Sequence, residues 1–170
     1  MGNKSAKKEK NIYYSCRDEL GLTREQASER LGWISADRLE KIENERVAAP
    51  NPEEVLAMAD AYGRPDLCNY YCSHQCGIGK KYVPEVKIQE LPHIVLEMLA
   101  SLNAIEGKKN RLIEITADGE ITDDELADFA EIQQGLERIS MTVESLQLWS
   151  EQMLSSGRIN RERLESIKQK

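Results

Sequence analysis

The chain has 170 residues, of which 31% are charged and only 5% are aromatic, and its formal net charge at pH 7 is −7. This composition is typical of a helix-rich protein with one ordinary core, or a small domain with an appendage, and it disfavours a β-sandwich or barrel. No run approaches the ~20 consecutive apolar residues of a membrane-spanning helix, and the acidic surplus disfavours nonspecific coating of nucleic acid.

A lysine-rich stretch, residues 1–10, opens the chain and is expected to be a disordered basic tail. No apolar segment follows it, so it lacks the form of a signal peptide, and we expect a cytoplasmic protein. The acidity lies mainly in the second half, because residues 1–65 hold 11 Lys and Arg against 12 Asp and Glu. A nearly neutral first half permits DNA binding.

Start and stop signals predict five short helices in residues 11–76. Gly21 ends the first, and Thr23 begins the second with a capping box. Gly32 ends the second helix and Ser35 caps the third. A proline-rich entry and a Gly-x-Pro stop then delimit a fourth helix, and the fifth carries three cysteines. The fold class is therefore predicted to be all-α.

The three cysteines, Cys68, Cys72 and Cys76, are spaced by four residues, which places them on one stripe of a helix. The outer two would lie about 12 Å apart along the axis, so one metal centre could bind all three only where the helix breaks. Zinc needs four ligands, and His74 or Cys16 would supply the fourth. An iron–sulfur cluster also takes thiolates, although at other usual spacings. Buried reduced thiols and a disulfide or redox switch are the alternatives that the sequence leaves open.

Residues 77–87 contain two Gly, one Pro and three Lys, and we interpret them as a linker. Heptad-spaced apolar residues then predict two helices that form a long antiparallel hairpin over residues 88–156. The two series are Leu91, Val95, Met98, Leu102, Ile105 and Leu112, and Phe129, Ile132, Leu136, Ile139, Val143 and Leu146. Other apolar residues flank both series, and a face this wide is expected to meet either the N-terminal helices or another copy of the chain. We predict the second arrangement, a homodimer that forms a four-helix bundle. Residues 157–170 are expected to be a charged tail that frays.

A helix, a tight glycine turn and a capped helix form the helix-turn-helix arrangement, which inserts its second helix into a major groove. The segments that carry it are GLTREQASERLG, ISADRLEKIE and PEEVLAMADAYG. Residues 11–66 resemble the Cro/phage-repressor type, or xenobiotic-response-element (XRE), helix-turn-helix family of regulators. Compared with that pattern, Trp33 is one extra residue in the turn. The resemblance implies a sequence-specific transcriptional regulator of bacterial or phage type that binds double-stranded DNA as a dimer.

The resemblance also implies a set of DNA-contacting residues. They are Arg24, Ser35, Ala36, Asp37, Arg38, Lys41, Asn44 and Arg46. In such proteins the positions of Arg24 and Ser35 contact phosphates, while those of Ala36, Asp37 and Lys41 read base edges. Few of these residues are basic, so we expect modest and salt-sensitive affinity.

The sequence contains no phosphate-cradling glycine loop, nucleophile elbow or metalloprotease helix. We therefore expect a protein that is not an enzyme. The alternative function is a helix-turn-helix-fold protein-interaction or antitoxin-like module. In that alternative the hairpin binds a partner and the head has little affinity for DNA.

Overall fold

A computed structural model describes residues 10–169 of the chain, and the expectation for most of the basic tail lies outside that range. Within the described range the chain forms ten helices and no strand, and 68% of the residues are helical. The predicted all-α class is confirmed. The helices are α1 (Ile12–Glu19), α2 (Arg24–Leu31), α3 (Ala36–Glu43), α4 (Pro52–Tyr62), α5 (Asp66–His74), α6 (Gly79–Tyr82), α7 (Leu91–Glu106), α8 (Lys109–Ile115), α9 (Leu126–Ser155) and α10 (Arg161–Lys168).

The chain divides into two compact units. Pro84–Met153 forms one, which we call the hairpin unit, and the described residues before and after it form the other, the head unit. The predicted linker at residues 77–87 contains the division, but it also contains α6. The C-terminal segment expected to fray contains α10, because the Asn160 side chain caps its first turn by accepting the Arg163 N–H at 2.9 Å.

The helix boundaries of the head follow from local capping chemistry. The Thr23 hydroxyl accepts the Gln26 N–H, and the Gln26 side chain accepts the Thr23 N–H, so both bonds of the predicted capping box are present. Gly32 follows α2 with φ +79°, a conformation that residues with a Cβ atom rarely adopt. Ser35 then caps α3 by accepting the Arg38 N–H at 3.2 Å.

One hydrophobic core joins α1 to α5. Its buried members are Tyr13, Cys16, Ala27, Leu31, Ile34, Leu39, Ile42, Val55, Met58, Ala59, Tyr62 and Leu67. Burial raises the pKa of the Cys16 thiol to about 11, so this thiol stays protonated and packs as a small apolar group. The core supports α3 from beneath and leaves its opposite face exposed.

In the hairpin unit, α7 and α8 run antiparallel to α9. Arg111 on α8 binds Asp128 at 2.6 Å, Lys108 binds Glu131, and further along Ile105 on α7 packs against Gly135. As residue numbers decrease along α8 and α7, the residue numbers of their contacts on α9 increase, so the two arms form an antiparallel hairpin. The first arm is interrupted at Gly107 rather than continuous to Leu112.

The buried side of the hairpin differs from the predicted heptad seam. Val95, Leu102, Leu136 and Val143, which belong to the predicted series, are 41–49% exposed. Ile132 of the predicted series is buried, but the other buried residues of α7 and α9 lie outside the series: Ile94, Ser101, Gly135, Thr142, Ser145 and Leu148. Because apolar residues flank both sides of each series, periodicity alone does not determine which flank faces the other arm.

Candidate nucleic-acid interface

The helix-turn-helix element positions α3 through its buried face. Leu39 and Ile42 of α3, and Ile34 of the turn, are buried in the head core. Ser35, Asp37 and Lys41 lie on the exposed side of the same helix. An exposed face on a helix that is anchored from behind is the arrangement that major-groove reading requires.

A buried ion-pair network ties this element to α1. Both carboxylate oxygens of Glu43 accept from Arg17, at 2.6 and 2.8 Å, and Arg24 donates to the same carboxylate at 2.8 Å. The hydrogen bond to Glu43 raises the pKa of the Arg17 guanidinium, which also donates to the Leu22 carbonyl. Arg24, the expected phosphate contact, therefore helps to hold α2 and α3 together, and its side chain is only partly exposed.

A second pair joins α3 to α4. Arg38 donates two hydrogen bonds to the carboxylate of Glu54, at 2.6 and 2.7 Å. Glu54 also accepts the Asn51 N–H and so completes the capping box of α4. The hydrogen bonds from Arg38 lower the pKa of the Glu54 carboxyl. Arg38, expected near DNA, thus fixes the angle between two helices of the head.

The remaining predicted residues lie on or just after α3. The Lys41 ammonium lies 2.6 Å from the Asp37 carboxylate one turn earlier, and both side chains are exposed. Arg46 pairs with Glu40 at 3.1 Å, and the Asn44 amide donates to the same glutamate. Ala36 is half-buried. The predicted residues thus lie at the start of α2 and just before, on and just after α3, and the role of each residue in contacting DNA stays a prediction.

Trp33 is a residue of this surface that the family pattern did not identify as a contact. It precedes Ile34 in the turn, and its side chain is 60% exposed. Because Ile34 occupies the core position of the turn, the neighbouring Trp33 is directed outwards. The sequence showed that the turn has one extra residue, but it did not show whether Trp33 or Ile34 would be buried.

The cysteine segment does not assemble the expected metal site. No group of three or more His, Cys, Asp or Glu side chains within residues 10–169 is placed to hold an ion. The helix α5 continues through His74, whose Nδ1 lies 3.2 Å from the Tyr70 carbonyl oxygen, and Cys76 accepts the Gly79 N–H. None of the four cysteines, all inside the described range, is joined in a disulfide. Zinc or an iron–sulfur cluster held by Cys68, Cys72, His74 and Cys76 therefore stays a prediction, as do the buried-thiol and redox alternatives.

Comparison with known proteins identifies the element directly. Residues 15–67 match the family model of a helix-turn-helix domain, of the XRE-like type, which confirms the resemblance seen in the sequence. Comparisons with curated proteins and with solved structures found no match. A domain of this kind points to a DNA-binding regulator in general. Among the described helices, none combines the length and apolar character needed to cross a membrane.

Proposed function

We propose that the chain is a sequence-specific transcriptional regulator of bacterial or phage type, located in the cytoplasm, that binds double-stranded DNA as a homodimer. One observation carries this proposal: the matched helix-turn-helix domain holds α3 from behind and exposes Ser35, Asp37 and Lys41 on its outer side. These side chains would face the major groove. The protein acts by occupying a site on DNA rather than by catalysis.

The electrostatics of the head predict modest affinity that depends steeply on salt. Arg24 and Arg38 already bind Glu43 and Glu54, and Lys41 must exchange its contact with Asp37 for a phosphate or a base. Phosphate contacts dominate the affinity of most DNA-binding proteins, and each contact adds to the salt dependence. Specificity would come from the few base contacts of α3, with Asp37 accepting from cytosine and Lys41 donating to guanine.

The exposed apolar surface of the hairpin unit supports the homodimer. Val95, Leu99 and Leu102 follow one another at spacings of four and three along α7 and are 41–52% exposed. Leu136 and Val143 of α9 are exposed to a similar extent. Exposed large apolar residues at helical spacing on both arms favour an interaction site. A second copy of the hairpin would cover it and bring two heads to half-sites one helical turn apart.

A charge reversal on α3 tests the proposal. Lys41→Glu should reduce retention on sheared genomic DNA at low salt at least tenfold, because a phosphate or base contact becomes a repulsion. Lys109→Glu is the matched control, since it makes the same change of net charge at an exposed position in the hairpin unit. Equal loss in both variants would indicate only a general charge effect, and no loss in either would exclude α3 as the reader.

A protein-interaction or antitoxin-like module is the second candidate, and one observation favours it. Trp33 and Leu56 are each 60% exposed on the head, and DNA reading requires neither. If Lys41→Glu leaves DNA retention unchanged, Trp33→Ser should instead weaken capture of a protein partner. Measurement of both variants against both ligands separates the two functions.

A further inference from the structure

The hairpin unit contains a cavity of about 690 Å³. Its walls come from α7, from α9 and from the extended segment 85–89 that precedes α7. Small-molecule sites commonly enclose 300–1,000 Å³, so the space is suited to a small organic ligand. The cavity is an open groove, with buried Ser101, Thr142 and Ser145 at its base and exposed residues such as Arg138 and Met141 at its edges. None of the residues that line it belongs to the apolar surface proposed for dimerisation.

The sequence of the two helices creates this space. Ser101, Ala104, Thr142 and Ser145 line the cavity, whereas Leu102 and Val143 of the same turns are exposed outside it. Packed helices lie 8–10 Å apart, a gap that leucine-sized side chains normally fill and these small ones do not. The arms close at the end of the cavity, where Gly135 allows Ile105 to approach so closely that a Cβ at that glycine would lie 2.4 Å from Cδ1.

The interior of the cavity offers hydrogen-bond acceptors. The hydroxyls of Ser101, Thr142 and Ser145 each donate to a carbonyl of their own helix at 2.8 Å, which leaves their oxygens to accept. Gln89 also lines the cavity, and its Oε1 is buried without a hydrogen bond from any described residue. Because buried polar atoms are nearly always hydrogen-bonded, this oxygen indicates a missing donor.

The rim of the cavity carries two available cations. Lys87 and Arg138 are exposed, line the opening and form no ion pair within residues 10–169. Two acidic residues also line it: Glu97 is paired with His93 at 3.1 Å, and Glu85 has a partner as well. No acidic side chain among the described residues therefore neutralises Lys87 or Arg138. A ligand with a negatively charged group would neutralise them.

We propose that this cavity binds a small organic anion whose apolar body carries at least one hydrogen-bond donor. The anionic group contacts Arg138 and Lys87 at the rim. The donor reaches Gln89 or the hydroxyl oxygens of the walls. The apolar body packs against Val86, Met141 and the alanines of α7. This inference goes beyond the proposed DNA binding and does not depend on it.

The test uses 1-anilinonaphthalene-8-sulfonate, an anion with one N–H donor and two apolar ring systems, and the full-length protein without DNA. We expect fluorescence titration to show one site per chain. Ser101→Leu should weaken binding at least tenfold by filling the cavity, and Arg138→Gln should weaken it about fivefold. Leu96→Ser is the matched control, because Leu96 is a large, exposed apolar residue of α7 outside the cavity, and it should leave binding unchanged.

Methionine methyl resonances locate the probe independently of its fluorescence. The Met141 methyl should shift on titration, whereas that of Met58, in the core of the head unit, should not. Loss of binding in Leu96→Ser with retention in Arg138→Gln would place the probe on the outer surface and overturn the proposal. Binding that weakens as protein concentration rises would show that a second copy occupies the cavity, which also overturns it. If Ser101→Leu does not fold, Arg138→Gln at its exposed position decides alone.

Discussion

Two glutamates determine which arginines of the head remain available to a ligand. Glu43 binds Arg17 and Arg24, and Glu54 binds Arg38. The Glu43 side chain is only 1% exposed, and a buried carboxylate is tolerated only with charged or hydrogen-bonding partners. Arg24 and Arg38, two of the three arginines in the predicted DNA-binding set, therefore contribute first to the shape of the head, and any phosphate contact by their exposed edges is secondary.

The Arg38–Glu54 pair makes head stability depend on pH. Since Arg38 lowers the pKa of Glu54 below its ordinary value of 4.5, the pair stabilises the fold above that pH and loses its effect as the pH falls through the lowered value. Glu54→Gln keeps an acceptor for the cap but removes the charge. It should lower the free energy of unfolding by about 2 kcal/mol at pH 7.

Urea unfolding of both proteins at a series of pH values measures this contribution. The wild-type and Glu54→Gln curves should converge as the pH is lowered below 4.5. A gap that stays constant across the whole range would show that the carboxylate charge contributes nothing.

In the proposed complex with DNA, Asp37 should limit the affinity of α3, because it binds Lys41 and its charge repels phosphate. Asp37→Asn should tighten binding to nonspecific DNA roughly fivefold, about 1 kcal/mol, at low salt. It should also steepen the slope of log affinity against log salt by about one, since one more cation contacts a phosphate. Asp123→Asn, in the turn of the hairpin unit, is the control and should change neither quantity.

The sequence correctly predicted the residue roles that depend only on residues nearby in the chain. Thr23, Gly32 and Ser35 act within a few residues of themselves, so their capping roles could be inferred and are confirmed. The partners of Arg24 and Arg38 lie 19 and 16 residues away. Nothing in the local pattern distinguishes a guanidinium that will face DNA from one that will meet a glutamate on another helix.

At the scale of elements, close packing explains why the glycine-rich stretch after the cysteines is ordered as a helix. Gly79 of α6 lies against α5, and a Cβ there would be 2.2 Å from the Cys72 carbonyl oxygen. Burial, chiefly, raises the pKa of the Cys72 thiol at this contact. The composition predicted a linker, because sequence alone does not distinguish a glycine needed for backbone freedom from one needed for close packing.

Two glycine substitutions test that contact. Gly79→Ala must displace backbone and should lower the free energy of unfolding by about 1–3 kcal/mol. Gly77→Ala, two residues earlier, meets no atom within 4 Å of its new Cβ and should be neutral or slightly stabilising. Thermal unfolding of both variants measures the difference. Equal melting temperatures would show that α6 does not pack on α5.

The hairpin also shows what periodicity can and cannot predict. Heptad spacing identified the two amphipathic arms, because a helix brings every third or fourth residue to one face. It assigned Leu102, Leu136 and Val143 to the inside, whereas the structure exposes them and buries Ser101, Thr142 and Ser145. The small residues at these positions could have indicated which side of each helix faces the other arm. Because that side is buried, the large apolar residues form an uncovered face.

At the scale of the whole molecule, this uncovered face predicts self-association. Leu99→Gln combined with Leu136→Gln should convert a dimer into a monomer in sedimentation experiments, because it removes apolar area from the centre of the proposed interface. Ile167→Gln on α10 is the matched control, since that side chain is similarly exposed but lies outside the hairpin unit. A wild-type protein that sediments as a monomer at all concentrations would contradict the homodimer.

The central claim is that paired heads read a specific site on DNA. It is tested most directly by incubating the full-length protein with sheared genomic DNA of its host at low salt, washing at moderate salt and sequencing the retained fragments. We predict enrichment of a palindrome whose half-sites are centred about 10 base pairs, or a multiple, apart, and loss of that enrichment in Lys41→Glu. Absence of any enriched sequence, or the same palindrome retained by Lys41→Glu, would contradict the claim.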